Sequence, residues 1–297
     1  RPSIPLCLLW RKQSLWRSRA IDSIRLVDHS QGGESAPLGY FTLSPWTKGH
    51  RTMELLTTNF KLEKQNGIEY LIAGIALAPH KRSGFNVCIA AGECSRVCSL
   101  WFSGRTVTEV VRNAMLNRTS LFFNDREAFF QQLAKETARH IHKAKKLGVL
   151  PAVRPNVASD LDWSDYARAN PELTLYDYTK VKSRLAKVKR GDWPSNYQLT
   201  YSINERSHWR TITSYLDAGF NCSIVFDTEY NPQSHKIGAL PNRWTIGGKS
   251  WQVVDGDKHD LRLTKFDGCG KLVGLRFKGS RKRIDHAINK GFVFSTN

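Results

Sequence analysis

Apolar stretches of strand length alternate with helical patterns along most of the chain. The first is residues 71–78, an apolar run that ends at Pro79 and is typical of a buried strand. Further runs of this kind lie at residues 149–154, 173–178, 197–202, 221–226, 251–254 and 271–277. Apolar residues spaced three and four apart predict helices between these runs, at residues 107–116, 126–147 and 181–189 and from Trp209 to Leu216.

This alternation predicts an α/β fold with mainly parallel strands, because right-handed crossovers join such strands through helices. Six or seven strands fit a (β/α) barrel, either TIM-like or partial. Polar residues follow nearly every strand, and in a barrel they would collect on one rim at the carboxyl ends of the strands. The other interpretation is that these Ser, Asp and Asn residues only cap the helices that follow.

The longest predicted helix, residues 126–147, has clear signals at both ends. Asn124 as its N-cap, with Glu127 three residues later, forms the capping-box arrangement. Gly148 is the residue type expected after the last helical turn.

Residues 1–52 differ from the rest of the chain. They carry eight Lys or Arg against three Asp or Glu, and a turn-rich segment lies at residues 31–37. Regular patterning begins at Met53, the first methionine. We therefore predict one barrel-like domain at residues 53–297, preceded by an irregular basic extension that is disordered or foreign to the natural protein. A native basic arm is the alternative.

The net charge changes the expected partners. A formal charge of +19 attracts polyanions, so a nucleic acid or a nucleotide is a candidate partner. The alternative is that the charge only keeps the surface solvated. No apolar run approaches 18 residues, so we expect no membrane-spanning helix.

Three of the six cysteines lie within eleven residues, after a predicted strand and before a helix. Cys88, Cys94 and Cys98 would supply thiolates for a [4Fe–4S] cluster with one open iron, or for zinc. His80 and Cys269 are the candidates for a fourth ligand. The alternative is that three reduced thiols pack as small apolar groups. Such clustering favours metal binding and a reducing compartment.

Charged residues at the predicted strand ends are the candidates for catalysis: Arg154, Asp160, Asp177, Lys180, Asp255 and Asp257. Asp255 and Asp257, with Asp260, resemble a carboxylate metal site, although such residues also form ordinary turns. The two cations would bind an anionic substrate or pair with neighbouring carboxylates. We assign Gly104, Arg105 and Ser202 to cofactor binding.

Several segments together resemble a known family. The segments LAPHKRSGFNVC, LFFNDREAFF, VRPNVASDLDW, LYDYTK, YQLTYS, VVDGDKHDLR and VGLRFKG, in this order, are similar to the phage-encoded gene product 88 family over about residues 54–297. The resemblance implies a phage or prophage origin and the cytoplasm of the host. More distantly, the three-cysteine loop after a strand resembles radical-SAM enzymes, which are partial barrels, and this implies that S-adenosylmethionine could serve as a cofactor.

The sequence therefore leads to two hypotheses. The first is a cofactor-dependent enzyme, with an iron–sulfur or other metal site at the strand ends, that acts on a nucleotide, a nucleic acid or another anionic substrate. The second is a basic protein that binds nucleic acid or takes part in host takeover, with a structural zinc site on the same cysteines.

Overall fold

The structure, a computed structural model, describes residues 53–58, 69–102, 108–228, 230–231 and 236–296. Its strands are β1 (Leu56–Thr57), β2 (Tyr70–Ile75), β3 (Leu150–Arg154), β4 (Thr174–Thr179), β5 (Tyr197–Ser202), β6 (Cys222–Asp227), β7 (Tyr230–Asn231), β8 (Lys236–Ile237), β9 (Arg243–Ile246), β10 (Lys249–Asp255), β11 (Leu272–Arg276) and β12 (Phe294–Ser295). Its α-helices are α1 (Ser99–Phe102), α2 (Glu109–Asn124), α3 (Arg126–Lys146), α4 (Ser164–Ala169), α5 (Lys182–Arg190), α6 (Trp209–Asp217), α7 (Thr264–Asp267) and α8 (Arg281–Asn289). The predictions made for residues 1–52 lie outside the described residues.

Ten of the described strands form one mostly parallel sheet, as the alternation of strands and helices predicts, while β7 and β8 pair antiparallel in a separate two-stranded sheet. The order of the larger sheet is β1-β2-β3-β4-β5-β6-β11-β10-β9, with β12 paired to β6. Strands β2 to β6, β11 and β10 are parallel neighbours, while β1 and β9 pair antiparallel at the two edges. Among the described residues the sheet is open, since β1 and β9 do not pair. The α/β class is thus confirmed, and the strands do not close into the barrel that we expected.

The two faces of the sheet are covered differently. Alternate side chains of a strand point to opposite faces, and Val153, Leu175 and Ile224 belong to a core that includes Phe129 and Leu133 of α3. The other face carries a smaller cluster. Its members are Ile72, Ala152 and Tyr176 of the sheet with Leu261 and Leu263, which follow β10. A segment after β10 therefore covers the face that lacks the long helices, and we call residues 256–268 the covering segment.

Helix α3 follows the predicted pattern with one difference at its start. Its N-cap is Asp125, whose side chain accepts a hydrogen bond from the backbone N–H of Ala128 at 3.0 Å. Asn124, the predicted cap, is instead the last residue of α2. The two helices meet with a single residue between them, so that residue ends one helix and caps the next. Gly148 adopts φ of 66°, consistent with its predicted place after the helix.

The antiparallel edge of the sheet was not predicted as a hairpin. Strands β9 and β10 are joined by Gly247 and Gly248, with φ values of 59° and 78°. Positive φ at both central residues is typical of a type I′ turn, which matches the twist of the two strands. In the part of the chain that the structure describes, no helix has the length and apolar character needed to cross a bilayer.

Candidate functional site

A loop that contains three cysteines crosses the carboxyl edge of the sheet directly after β2. We call residues 79–98 the cysteine loop. The backbone N–H of Asp160 donates to the carbonyl of Val87 at 2.8 Å. Cys88 Sγ accepts from the N–H of His80 at 3.3 Å and contacts the carbonyl of Ala158 at 3.7 Å. These bonds fix the first cysteine against the segment that follows β3.

The connection between β5 and α6 holds the middle of the cysteine loop. Glu205 Oε1 accepts from the N–H of Glu93 at 3.2 Å, and Arg206 Nη2 donates to the carbonyl of Ala90 at 3.0 Å. Gly92 lies beneath this contact, where a Cβ atom would come within 1.7 Å of Glu205 Oε1. Glycine at this position therefore allows the two loops to approach each other.

Helix α8 holds the same loop from a third side. His286 Nε2 and Glu93 Oε2 are 2.8 Å apart, and this hydrogen bond lowers the pKa of the Glu93 carboxyl. Val97 is buried with Ala287 of α8, and Cys94 packs against the same cluster. The cysteine loop is thus positioned by elements that come from three distant parts of the chain.

The three thiols influence one another. Burial raises the pKa of Cys88 to about 12 against the opposing hydrogen bond from His80, and this value includes smaller contributions from the charges of Cys98, Cys94 and Asp160. Burial likewise raises the pKa of Cys98 to about 11, again with a contribution from Cys94. At neutral pH these two thiols are therefore protonated. No disulfide joins the cysteines in the described part of the chain.

Lys180 lies in the same region, at the carboxyl end of β4. Its Nζ donates to Ser202 Oγ, on the neighbouring strand β5, at 3.1 Å, and both side chains are half-buried. Burial acts to lower the pKa of Lys180, but negative charge at Cys94, Asp160, Cys88 and Cys98 outweighs it and raises the pKa. The ammonium group is thus within electrostatic reach of all three thiols. Of the residues that we predicted for the site, the structure brings together these cysteines, Lys180, Ser202 and Asp160.

Asp160 positions its neighbours. Its carboxylate is buried, forms an ion pair with Arg184, and accepts from Thr179 Oγ1 and from the backbone N–H of Lys180, both at 2.9 Å. The carbonyl of the same residue accepts from Arg184 Nη2 at 2.9 Å. Through the backbone hydrogen bond from Lys180, Asp160 positions the main chain from which the Lys180 side chain extends. Arg184 lies among the lysines of α5, and no sequence signal distinguishes it from them.

Asp177 belongs to the helix-covered core. It accepts hydrogen bonds from Asn156 N at 3.0 Å, Asn156 Nδ2 at 2.9 Å and Tyr197 OH at 2.6 Å. Burial raises its pKa to about 7, against the opposing effect of Arg154 and these donors. The structure shows Asp177 organising the turn after β3 through its two hydrogen bonds with Asn156.

Arg154 lies under the covering segment. Its Nη1 pairs with Asp260 Oδ1 at 2.7 Å, and Tyr176 OH donates to Asp260 Oδ2 at 3.1 Å. The Arg154 guanidinium also lies over the ring of Tyr178, 5.0 Å from its centroid. With its charge balanced in this way, Arg154 has a clear structural role. The sequence suggested this pairing of strand-end cations with carboxylates, and Asp177 Oδ1 lies 3.9 Å from Arg154 Nε, but Asp260 was not identified as a partner.

Asp255 and Asp257 lie at the far side of the sheet and share Arg276. The Nη1 atom of Arg276 is 3.0 Å from Asp255 and 3.4 Å from Asp257, and Lys278 Nζ is 2.8 Å from Asp257. These ion pairs account for both carboxylates. A cavity of about 450 Å³ next to Asp255 is lined also by Lys258, but by no residue of the cysteine loop.

The described residues lend no support to the expected metal centre. Across residues 53–58, 69–102, 108–228 and 236–296, no three His, Cys, Asp or Glu side chains form a group arranged to hold a metal ion. Cys269 precedes β11, and so lies at the amino edge of the sheet, opposite the cysteine loop. It is therefore not placed to be a fourth ligand. Gly104 and Arg105, which we assigned to cofactor binding, lie outside the described residues.

Comparison with known proteins identifies the family. The chain matches the family described as Gene product 88 over residues 48–295. The chain belongs to this family. The match confirms the resemblance noted in the sequence. No curated protein and no solved structure matches the chain, so these comparisons give no support to the more distant similarity to radical-SAM enzymes.

Proposed function

We propose that this Gene product 88 protein is a cofactor-dependent enzyme whose cysteine loop holds an iron–sulfur cluster or a metal ion. Cys88, Cys94 and Cys98 would be the ligands, and Lys180 with Ser202 would bind an anionic group of the substrate. The observation that carries the proposal is the electrostatic coupling of Lys180 to all three thiols at the carboxyl edge of a parallel sheet. Ligands of α/β proteins usually bind at this edge.

The chemistry of the donors supports this proposal. Burial keeps Cys88 and Cys98 protonated, and a bound cation would displace those protons, since thiolates are the ligands of zinc and iron. The nearby Lys180 ammonium would offset part of the negative charge of three thiolates. Binding of the metal or cluster would also have to draw the three sulfurs closer together. A cluster held by three cysteines would leave one iron open for S-adenosylmethionine or for the substrate.

The substrate and the setting follow from charge and family. Lys180 is a half-buried cation whose described hydrogen bond goes to a neutral hydroxyl, Ser202 Oγ. An ammonium and a hydroxyl side by side suit a carboxylate or a phosphate. Because the net charge of the protein is +19, we favour a nucleotide or a nucleic acid as the substrate. Reduced cysteines and the phage family support a site of action in the host cytoplasm.

The test is metal analysis of protein prepared without oxygen, before and after supply of iron with sulfide, or of zinc. The wild-type protein should bind iron or zinc in a fixed ratio, and each of Cys88→Ser, Cys94→Ser and Cys98→Ser should lose it. Cys222→Ser is the matched control, because Cys222 is buried in β6 on the core side. Wild-type protein that retains neither metal under any of these conditions would overturn the proposal.

The same preparation separates the second hypothesis, a nucleic-acid-binding protein with a structural zinc. That protein would be colourless and hold zinc alone. Removal of the zinc would then lower the stability of the fold, because a structural zinc site contributes directly to the free energy of folding.

A further inference from the structure

We infer that a set of arginines stacked on aromatic rings, next to the cysteine loop, binds the phosphodiester backbone of a nucleic acid. We call this set the arginine surface. It consists of Arg82 in the cysteine loop, Arg283 on α8, and the rings of Trp101 and Phe102 on α1, with Arg112 at its border. The inference rests on the proposed function for the choice of substrate, while the binding itself would need no metal.

The contacts place two guanidinium groups on a single ring. The Cζ atoms of Arg82 and Arg283 lie 5.0 Å and 4.2 Å from the centroid of the Phe102 ring. Arg82 also lies 5.9 Å from the centroid of Trp101, and Arg112 lies 5.0 Å from the same ring. Three elements that are distant in sequence therefore bring their arginines to one place.

Stacking prepares an arginine to bind phosphate. A guanidinium held flat on a ring has fewer orientations to lose, and the N–H groups at its edge remain available as a planar fork for phosphate oxygens. The side chain of Arg82 is exposed and that of Arg283 is half-buried. In the described part of the chain neither one forms an ion pair with a carboxylate, whereas Arg281 pairs with Asp285.

The surroundings favour a long anion over a small one. Lys81 and Lys282, next in sequence to the two arginines, are both exposed. Charges spread over two elements match the regular spacing of phosphates along a polynucleotide, which releases counterions when it binds several cations. Since contacts to phosphate position a nucleic acid without reading its bases, we expect binding with little dependence on sequence.

The arginine surface is joined directly to the candidate site. Helix α1 begins at Ser99, immediately after Cys98. Helix α8 touches the cysteine loop through His286 and Glu93. A strand of nucleic acid bound across Arg82 and Arg283 would thus pass beside the cysteine loop, where one of its phosphates could reach Lys180.

The test is fluorescence anisotropy with labelled oligonucleotides of about 20 nucleotides. Single-stranded DNA, single-stranded RNA and duplex DNA are each measured over a series of salt concentrations. The double variant R82Q/R283Q should bind more weakly than the wild type. A plot of log affinity against log salt concentration has a negative slope. Each lost phosphate contact should reduce the magnitude of this slope by about 0.7 for single strands and by about 0.9 for a duplex. The kind of oligonucleotide that binds most tightly identifies the form of nucleic acid that the protein prefers.

The control is R139Q/K143Q, which removes the same charge from exposed positions of α3 and should leave most of the affinity and the salt slope intact. Thermal unfolding of each variant checks that the fold is retained. Equal binding by R82Q/R283Q and R139Q/K143Q, or no binding by the wild type at 50 mM salt, would overturn the inference. Wild-type protein prepared with and without iron or zinc should bind alike, so failure of the metal proposal remains distinguishable from failure of this one.

Discussion

Arg154 and Asp260 form a buried ion pair, with Nη1 and Oδ1 2.7 Å apart, although 106 residues separate them in the chain. The side chain of Arg154 is 7% exposed and that of Asp260 is 0% exposed. Tyr176 OH donates to the second oxygen of the same carboxylate. This pair attaches the covering segment to the carboxyl end of β3 and so closes the face of the sheet that has no long helices.

Removal of one partner from this pair should be costly. Asp260→Ala leaves the buried Arg154 charge with only the more distant Asp177, 3.9 Å from its Nε, and we expect a loss of about 3–5 kcal/mol in the free energy of unfolding. Urea denaturation measures this loss. Glu172→Ala is the control, because its ion pair with Lys145 is exposed on both sides and should contribute about 0–1 kcal/mol. Similar losses for the two variants would show that the Arg154–Asp260 pair does not hold the covering segment on the sheet.

Asp177 should make stability depend on pH in an unusual direction for a carboxylate. Its folded-state pKa of about 7 lies above the ordinary value of 3.8, because the group is buried. Its contribution to stability is therefore complete in acid and is lost as the pH rises to about 7. Relative to Asp177→Asn, the wild type should lose about 1.4 kcal/mol of unfolding free energy per pH unit across this interval.

Urea denaturation of both proteins at several values between pH 4 and 8 checks this expectation, and the difference should level off above about pH 7. Asp162→Asn is the control. Hydrogen bonds from Ser164 and nearby cations lower the pKa of Asp162 despite its partial burial. Its contribution is complete above about pH 4, so this variant should run parallel to the wild type between pH 5 and 8. A parallel profile for Asp177→Asn as well would contradict the role given to Asp177.

Local patterns predicted the elements of the fold well. The apolar runs correspond to β2, β3, β4, β5, β6, β10 and β11, and a capping residue and a glycine marked the ends of α3 to within one residue. Whether a sheet closes is different, because closure depends on how the edge strands pair. Strand β9 alternates exposed and half-buried residues over only four positions, and so short a run does not show whether it pairs at an edge.

Part of the candidate site was predictable because its sequence signals are local. Strand ends and clustered cysteines are local signals, and they led to Lys180, Ser202 and the cysteine loop. The residues that position them act across the chain: Glu205 contacts Glu93 over 112 positions, and no short segment contains that information. A carboxylate at the end of a strand can also serve the core, and the hydrogen bonds that Asp177 accepts from Asn156 and Tyr197 could not be foreseen from its position alone.

Gly92 should be intolerant of a side chain because of Glu205. The Cβ of Gly92→Ala would lie 1.7 Å from Glu205 Oε1 and 2.7 Å from its Cδ, so the carboxylate must leave the N–H of Glu93. We expect a loss of about 1–3 kcal/mol in unfolding free energy, as for other overpacked sites. Thermal and urea unfolding measure the effect.

The double-mutant cycle with Glu205→Ala shows whether this contact is the cause. Once the Glu205 carboxylate is removed, Gly92→Ala should cost much less, giving a coupling of at least about 0.5 kcal/mol. Additive losses would mean that Gly92 is needed for its backbone conformation and not for the approach of the two loops.

His286 should control how firmly the cysteine loop is held. His286→Ala removes the hydrogen bond to Glu93 Oε2, which is 2.8 Å long, and this leaves the middle of the loop held by its hydrogen bonds to the β5–α6 connection and by the packing of Val97 and Cys94. Local opening then costs less free energy, so backbone amides of residues 93–98 should exchange hydrogen faster, while those of α3 stay unchanged. Mass spectrometry of peptides after exchange measures this difference. His142→Ala, at an exposed position of α3, is the control, and His286→Gln should restore part of the protection because its amide can still donate to Glu93. Unchanged exchange in His286→Ala would show that the packing of Val97 against Ala287 is sufficient to hold the loop in place.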